Sequence, residues 1–298
     1  MTHIKQSWTN EETAILVKNY PHKGYEWCTE KLSRSKCSVR RKASSLNLKV
    51  TKERKSQAQR EISDRCRPNL CNVDASMFES VINKECAYIM GLLWADGWIT
   101  KKHVIGLEIK SSDYKSVKPV FNFVGKWTEY ERKRPNRHLQ TSAKTSNRKL
   151  YGIFEDLGYG GKSLASADRV IGHVPDHLRH YWWRGYFDGD GCFYVGKKGV
   201  RQMSIAGSYN QDWSSFSDLC RKLNVKHASE KRKQKQKNGK LSSSSVVRMS
   251  SMNDIVPFGR YIYQGIDSDQ LGFKRKHDKF KMIEKAYDDR DERSRCRD

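Results

Sequence analysis

The sequence predicts an α+β fold in which two similar halves follow a small module of three helices. An apolar stretch that ends in Asp-Gly occurs twice, at residues 89–97 (IMGLLWADG) and 183–191 (WRGYFDGDG). After each copy, the apolar pattern predicts a hairpin, a helix and a second hairpin in the same order. Residues 1–50 carry apolar side chains at helical spacing, which predicts the separate helical module.

Each repeated stretch is predicted to be a helix that ends on an aspartate. Gly97 and Gly191 are expected to be left-handed caps, which places Asp96 and Asp190 at helix C-termini. The C-terminus is the negative end of the helix dipole, so a carboxylate is unfavourable there. Two acids in this position indicate that a cation is bound, most simply a divalent metal ion.

Residues four positions apart define one face of each predicted helix, and all but one of those on this face are small. These positions are Ala87, Gly91 and Ala95 in the first copy, and Tyr181, Gly185 and Gly189 in the second. Because small side chains let two helix backbones approach closely, we expect the two helices to pack along these faces. The two aspartates would then share one small site.

GLLWADG and RGYFDGDG resemble the two copies of the LAGLIDADG motif of homing endonucleases. The resemblance implies two αββαββα halves in tandem, with the motif helices at a pseudo-twofold interface and both sheets saddling the DNA major groove. It also implies that Asp96 and Asp190 bind the metal. The first copy departs from the motif at Trp94, where the second copy keeps Asp188.

The resemblance extends to two lysines. Lys162, within Gly-Gly-Lys-Ser, and Lys276, within Arg-Lys, match the active-site lysine of the family. We expect them to steady the water network and the developing negative charge. In some members a glutamine ends the second strand near the water, and here Ser111 and Ser208 fall near that place.

Composition limits the classes of function. The chain of 298 residues has 58 Lys and Arg against 34 Asp and Glu, a formal charge of +24, which points to nucleic acid as a partner. Eight scattered cysteines favour free thiols in a reducing intracellular compartment. Cys66 and Cys71 lack a second pair at zinc spacing. The apolar run 87–93 is too short to span a membrane, for which about 20 residues are needed.

Residues 1–50 are predicted to form a DNA-binding module. The polar residues 8–12 favour a helix start, and Ser35 favours another. In the last helix the apolar residues face inward, and four polar ones face outward as in a helix that lies in a major groove. The outward residues are Arg40, Arg41, Ser44 and Ser45. The pattern resembles Myb-like and helix-turn-helix modules.

Further boundaries follow from charge and from the repeats. Residues 51–77 are predicted to be a basic linker, 78–166 the first half, 167–290 the second half and 291–298 a charged tail. Two hairpin ends are rich in cations that we expect to contact DNA. In the first half these are Arg132, Lys133, Arg134 and Arg137, and in the second half they are Lys231, Arg232, Lys233, Lys235, Lys237 and Lys240.

The sequence therefore predicts a site-specific double-strand DNA endonuclease that uses Mg²⁺ or Mn²⁺. Its predicted partner is double-stranded DNA with a long asymmetric target site, bound by a monomer, with no membrane partner. Two other functions are compatible with the same scaffold, an intron-RNA-binding splicing factor of the maturase type and a DNA-binding regulator. The presence of both aspartates and both lysines favours cleavage.

Overall fold

A computed structural model of the protein describes residues 7–66, 73–135, 138–197, 199–235, 239 and 241–295. The chain divides into two compact units, Met1–Asn69 and Leu70–Asp298. Helices and strands are numbered in chain order through both units.

The first unit contains helices α1 (Asn10–Leu32), α2 (Lys36–Ser45) and α3 (Lys52–Cys66). Thr9 and Glu12 form a reciprocal capping box at the start of α1, as the polar residues there predict. Helix α1 is bent at Gly24, whose φ of 79° divides it into two helical parts. The core is made of apolar side chains from these parts and from α2, and they are Leu16, Cys28, Leu32, Val39 and Ala43.

Helix α3 lies in the stretch that was predicted to be a linker, residues 51–77. Its start is attached to α1, because Thr51 N–H donates to Pro21 O (2.9 Å) and Arg54 Nε donates to Lys23 O (3.1 Å). Arg54 also pairs with Glu61 at 3.1 Å. The sequence pattern missed this helix because polar contacts, which have no apolar period, hold it in place.

The other end of the predicted linker belongs to the second unit. Val73 and Ala75 are buried in the large core, and Val73 forms an antiparallel bridge with Gly125. The second unit therefore begins before the predicted boundary at residue 78. At the far end of the chain, the last helix runs to Arg295, so most of the predicted tail 291–298 continues a helix.

The second unit contains the two predicted halves. After the short helix α4 (Ser76–Glu79), the elements of the first half are α5 (Lys84–Asp96), β1 (Gly97–Thr100), β2 (Val104–Lys110), α6 (Ser111–Phe123), β3 (Thr128–Arg132), β4 (Gln140–Thr145) and α7 (Arg148–Asp156). Those of the second half are α9 (Arg179–Asp190), β5 (Gly191–Val195), β6 (Arg201–Ser208), α10 (Ser214–Lys222), β7 (Ala228–Lys235), β8 (Leu241–Met249) and α11 (Met252–Ile262).

Further elements join the halves and follow them. Between the halves lie 3-10 turns at Tyr159–Gly161 and Asp176–Leu178 and helix α8 (Asp168–His173). After α11 come α12 (Ile266–Asp269) and α13 (Lys274–Arg295). Within the residues described, no helix is long and apolar enough to cross a membrane.

The two halves have the same topology. Each contains a four-stranded antiparallel sheet, with the orders β1-β2-β4-β3 and β5-β6-β8-β7. In each sheet the first strand begins at the motif glycine, so that Gly97 pairs with Leu107 and Gly191 pairs with Ile205. The predicted α+β fold with two αββαββα halves, preceded by a small helical module, is therefore confirmed.

The core of the second unit is centred on α5 and α9, which pack against each other and against both sheets. Large side chains from both helices are fully enclosed, among them Tyr88, Trp182 and Phe187. Helix α6 begins at Ser111, directly after β2. Asp113, in its first turn, forms an ion pair with Arg275.

Candidate active site

The motif helices α5 and α9 cross with their backbones in contact. A Cβ atom added at Gly91 would lie 1.9 Å from the carbonyl oxygen of Trp182, and one added at Gly185 would lie 2.1 Å from that of Tyr88. No side chain fits at such distances, so the crossing requires glycine at both positions. The packing predicted from the small-residue faces is confirmed at these two glycines.

The glycines that follow the aspartates have a different role from the predicted one. Gly97 and Gly191 have φ values of −77° and −84°, which is extended backbone and not a left-handed cap. A Cβ atom at Gly97 would lie 2.4 Å from Leu93 O, and one at Gly191 would lie 2.2 Å from the Phe187 ring. Glycine is needed here because the first strand folds back against the last turn of the helix.

Asp96 and Asp190 are the last residues of α5 and α9, as predicted. The backbone of the second motif reaches the first carboxylate, because a Cβ atom at Gly189 would lie 3.2 Å from Asp96 Oδ2. Asp96 is exposed and Asp190 is half-buried. An ion and water can therefore reach both groups.

Protein surroundings and like charge disfavour ionisation of these acids. The pKa of Asp190 is raised to about 7, first by burial and then by the carboxylate of Asp96, against the opposing effect of two lysines. The pKa of Asp96 is also raised, because the protein around this carboxylate partly desolvates it although the side chain is open to solvent, and this effect outweighs the charges of Lys276 and Lys162. A cation between the carboxylates would remove the cause of the repulsion.

Lys162 and Lys276 close the ends of the motif helices. Lys162 Nζ donates to the carbonyl oxygens of three residues, which are Leu93 (3.0 Å), Trp94 (2.6 Å) and Ala95 (2.6 Å). Lys276 Nζ donates to those of four, which are Phe187 (2.8 Å), Asp188 (2.5 Å), Gly189 (3.2 Å) and Gly191 (2.5 Å). An ammonium group has three N–H donors, so these bonds occupy all of them. Each lysine supplies the positive charge that a helix C-terminus favours.

The two lysines act across the halves. Burial lowers the pKa of Lys162 to about 8, and the carboxylate that most opposes this effect is Asp190, in the other half. Burial likewise lowers the pKa of Lys276 to about 8, and the carboxylates that oppose this effect are Asp188 and then Asp96, in the first half. Each lysine thus caps the helix of its own half, and the motif-end aspartate with which its charge interacts most strongly is that of the other half. We call these pairs the Asp190 centre, with Lys162, and the Asp96 centre, with Lys276.

A cavity of about 270 Å³ opens beside Asp190. Its polar lining includes Lys162, Ser208 and Gln211. Gln211 Nε2 donates to Lys162 O at 3.1 Å, and Ser208 Oγ donates to Ser163 O. Ser208 therefore lies at the site, as its place at the end of β6 suggests.

Two polar residues at the site were missed, and one predicted residue lies away from it. Gln211 and Asp113 occupy equivalent places in the two halves, just after the second strand. Gln211 is six residues after Ile205, which pairs with Gly191, and Asp113 is six residues after Leu107, which pairs with Gly97. Ser111 is buried and accepts a hydrogen bond from Thr141 Oγ1 at 2.8 Å. Counting from the motif glycine to its strand partner would have found Gln211, but the sequence does not show that pairing.

The copies differ in how they support the helix ends. In the second half, Asp188 is fully buried and accepts hydrogen bonds from Tyr88 Oη (2.8 Å) and Phe273 N–H (2.9 Å). In the first half the equivalent Trp94 packs edge-on against Tyr159, with ring centroids 5.1 Å apart. The departure at Trp94 therefore replaces a polar support with an apolar one and leaves Asp96 in place.

The donor set suits a hard cation that is completed by other ligands. Among the described residues, no group of three or more His, Cys, Asp or Glu side chains forms a metal cluster. Mg²⁺ is typically held by one or two carboxylates with water and substrate phosphate as the remaining ligands. Asp96 and Asp190 fit that pattern. Five cysteines of the described residues are free thiols, and they are Cys28, Cys37, Cys86, Cys192 and Cys220. Cys71, Cys296 and the side chain of Cys66 lie outside the described part of the chain.

The predicted DNA-contacting cations of the hairpins are only partly free. Arg132 and Lys133 are exposed, whereas Arg134 pairs with Glu108 at 2.7 Å. In the second half Arg232 pairs with Glu230 at 3.0 Å, and Lys235 is exposed. Arg137, Lys237 and Lys240 lie outside the described residues.

Alternation along β7 separates the cations of the second hairpin. Arg232 lies opposite Ser244 and Ser208 across the sheet and shares their face. Lys231 and Lys233 point to the other face, where both lie over the Tyr209 ring at 4.9 and 5.3 Å. A DNA duplex that lies against one face of this sheet would therefore contact either Arg232 or the pair Lys231 and Lys233, and not all three.

In the first unit, the four predicted contact residues of α2, which are Arg40, Arg41, Ser44 and Ser45, are all exposed. Ser35 caps α2 by accepting a hydrogen bond from Ser38 N–H, and Val39 and Ala43 are buried on the opposite face. This arrangement agrees with the predicted inward and outward faces.

No protein-family model and no curated protein matches the chain. Among solved structures, it is similar to the homing endonuclease I-WcaI bound to its DNA recognition sequence, with 17% identity, 69% of this chain and 91% of that chain covered, and a TM-score of 0.41. It is also similar to I-DmoI in complex with DNA and Mn, with 16% identity, 61% of this chain and 97% of that chain covered, and a TM-score of 0.40. A third similar structure is the N-terminal LAGLIDADG domain of DUF199/WhiA, with 13% identity, 63% of this chain and 90% of that chain covered, and a TM-score of 0.36. With TM-scores below 0.5, these similarities add no weight to the roles of individual residues.

Proposed function

We propose that the protein is a site-specific double-strand DNA endonuclease of the LAGLIDADG homing endonuclease type. The observation that carries the proposal is the pair of carboxylates, Asp96 and Asp190, at the ends of two helices that cross at glycine. The charge of each acid interacts with a lysine of the other half. Two acids together with a buried and a half-buried lysine are costly to desolvate in a folded chain, and such perturbed groups are typical of functional sites.

Asp96 and Asp190 would hold a divalent ion, Mg²⁺ or Mn²⁺, together with oxygens of the DNA. When bound, the ion would supply activation of water, charge stabilisation at phosphorus and assistance to the leaving 3′ oxygen. The pKa of Asp190 is raised to about 7 by burial and by the Asp96 carboxylate, and a bound cation would favour its ionised form. Asp96 is exposed and would provide the second ligand.

Lys162 and Lys276 act through their charge and their position. Their N–H donors are used by helix carbonyl groups, so they do not donate hydrogen bonds to the phosphate in this arrangement. Each ammonium group neutralises a helix end and keeps one positive charge beside the reacting phosphate. This proposal keeps the predicted role of the lysines in stabilising the developing negative charge and does not include their predicted role in the water network.

Gln211 and Ser208 line the cavity beside Asp190 and orient a water molecule there. The bond from Gln211 Nε2 to Lys162 O fixes the amide, which leaves the amide oxygen to accept from water. Asp113 follows the second strand at the same distance in the first half, but its carboxylate is paired with Arg275. The Asp190 centre and the Asp96 centre therefore differ in their polar side chains. In the proposed reaction each centre cuts one strand of the DNA.

The DNA partner is inferred from charge and from the difference between the halves. The formal charge of +24 favours a polyanion, and Arg132, Lys133 and Lys235 are exposed on the hairpins. Since the halves carry different side chains on their sheets, they read different half-sites, which makes the target asymmetric and the active form a monomer. Arg40 and Arg41 of the first unit add a further contact.

The test is to incubate the full chain with a library of random duplex DNA in Mg²⁺ and to sequence the ends that form. We expect recurrent cleavage at one long sequence. Asp96→Asn and Asp190→Asn should each abolish double-strand cleavage with binding of the selected duplex nearly unchanged. Asp218→Asn, which alters an exposed surface pair, is the matched control and should cut normally.

Full cutting by both motif variants would contradict the metal site. Binding of one duplex without cleavage in Mg²⁺ or Mn²⁺ would instead indicate a DNA-binding regulator. Preferential binding of structured RNA over every duplex would indicate a splicing factor.

A further inference from the structure

An ion pair joins the first half to α13, the helix that carries Lys276. Arg275 Nε donates to Asp113 Oδ1 at 2.9 Å, and Arg275 Nη2 donates to Asp113 Oδ2 at 2.7 Å. This is the two-pronged geometry that arginine forms with a carboxylate. The Asp113 side chain is 8% exposed and that of Arg275 is 51% exposed, so one partner is anchored in the core.

The pair acts on the turn that positions Lys276. Arg275 directly precedes Lys276, and both lie in the first turn of α13. Lys276 N–H donates to Phe273 O at 2.8 Å, and Phe273 N–H donates to Asp188 at 2.9 Å. The turn is therefore attached to α9 on one side through Asp188 and to α6 on the other through Asp113.

An equivalent contact exists in the other half, with different chemistry. Gln211 in the second half is equivalent in position to Asp113 in the first half, since each is six residues after the residue that pairs with the motif glycine. Gln211 holds the backbone oxygen of Lys162 itself, at 3.1 Å. In both cases a residue of one half holds the lysine-bearing segment of the other. Repetition of this contact at equivalent places indicates that it serves the lysines and is not incidental packing.

We propose that Asp113 is a positioning residue that acts through Arg275 to hold Lys276 at the Asp96 centre, so that its loss slows the cutting of one DNA strand. The proposal rests on the proposed nuclease function. In this role Asp113 contacts neither the DNA nor the metal. Its effect on the chemistry passes through the position of α13.

The geometry explains why the effect is confined to one strand. The ion pair joins α6 to α13, whereas Lys162 is held by Gln211 and by the end of α5. Loss of the pair leaves those contacts in place. A displacement of a catalytic group by about 1 Å can cost roughly a hundredfold in rate, so a small shift of α13 suffices.

The experiment measures each strand separately. A duplex recovered from the library selection, with a different label on each strand, is cut by excess full-length protein in Mg²⁺. We expect Asp113→Asn and Arg275→Gln to slow one strand by roughly ten- to a hundredfold and to accumulate nicked DNA, with the dissociation constant unchanged. Arg275→Lys keeps the charge but cannot make both hydrogen bonds to Asp113, so its rate of strand cleavage should lie between those of the wild type and Arg275→Gln.

Lys274→Gln is the matched control. It removes one positive charge from the same turn and breaks an exposed pair with Asp278, in which the lysine is 82% exposed. Exposed pairs of this kind contribute little, so both strands should be cut at the wild-type rate. Equal slowing of both strands by Asp113→Asn or Arg275→Gln, or no slowing at all, would overturn the proposal.

A second measurement does not depend on cleavage. Lys276 is 4% exposed, so an amine-reactive reagent should modify it slowly in the wild type. Asp113→Asn and Arg275→Gln should increase modification of Lys276 severalfold and leave that of Lys162 unchanged, as read by peptide mass spectrometry. If the wild type cuts no DNA, the nuclease proposal fails, and the labelling still decides whether Asp113 holds Lys276. Unchanged labelling of Lys276 in both variants would refute the positioning role even in an active nuclease.

Discussion

Replacement of Asp190 by asparagine should make the protein more stable while it removes cleavage. The pKa of Asp190 is raised from 3.8 to about 7 by burial and by the carboxylate of Asp96. A raised pKa means that the ionised acid is less favourable in the folded chain than in the unfolded chain. Asparagine keeps the shape and removes the charge, so it removes this unfavourable contribution to the free energy of folding.

The magnitude follows from the shift. About three pKa units at about 1.36 kcal/mol each give an upper limit of about 4 kcal/mol for the cost of the ionised group. The amide must still be hydrogen-bonded, so we expect a net gain of about 2 kcal/mol, or roughly 4–8 °C in Tm for a unit of this size. The gain should be nearly complete above pH 7, where both states are ionised, small at pH 4, and absent below about pH 3, where the unfolded and folded states both hold the proton.

The assay is thermal unfolding of the wild type and Asp190→Asn from pH 4 to pH 9, with and without Mg²⁺. Without the metal, the Tm difference between the two proteins should grow as pH rises from 4 to 7. Added Mg²⁺ should raise the Tm of the wild type and narrow the difference, because binding to the folded state stabilises it. A variant that is less stable at pH 8, or a difference independent of pH, would refute the reasoning.

Three further predictions concern the helix crossing, the charge and the first unit. Gly185→Ala should unfold the second unit or lower its Tm sharply, because its Cβ would lie 2.1 Å from Tyr88 O, whereas Gly152→Ala, in a helix with open space around it, should be neutral or stabilising by about 0.5–1 kcal/mol. DNA binding should weaken steeply with salt, since each neutralised phosphate contributes roughly −0.9 to the log–log slope, and a slope shallower than about −3 would show that few basic residues lie on the backbone. A chain that begins at Leu70 keeps the buried Val73 and Ala75, so it should cut the same phosphates but need more protein, and an unchanged footprint and titration midpoint would show that residues 1–69 do not bind this DNA.

The helix crossing and the sequence of elements in each half could be predicted because each leaves a local signal in the sequence. Small residues at four-residue spacing mark a close helix contact, and Gly91 and Gly185 lie where the backbones meet. The apolar pattern predicted two hairpins in each half, and these correspond to the eight strands. These features depend on neighbours along the chain, which a single sequence shows.

The remaining features depend on contacts between distant residues. Asp113 and Arg275 meet across 162 positions, and no local pattern announces that pair. The role of Gly97 could not be predicted, because it arises from the return of β1 against Leu93 and not from a left-handed φ. Helix α3 was missed since polar contacts of Arg54, rather than an apolar stripe, attach it.

The two helix ends show which parts of the repeat the chemistry constrains. Both copies keep small residues at the crossing, an aspartate as the last residue and a lysine from the following segment on the helix carbonyls. The support beneath the aspartate differs, with Trp94 against Tyr159 in one copy and buried Asp188 in the other. A buried polar network and a well-packed apolar cluster can stabilise a fold to a similar extent, so either one serves. The proposed function explains why both copies keep the carboxylate at the negative end of a helix, because a bound cation would offset the cost that the two lysines offset only in part.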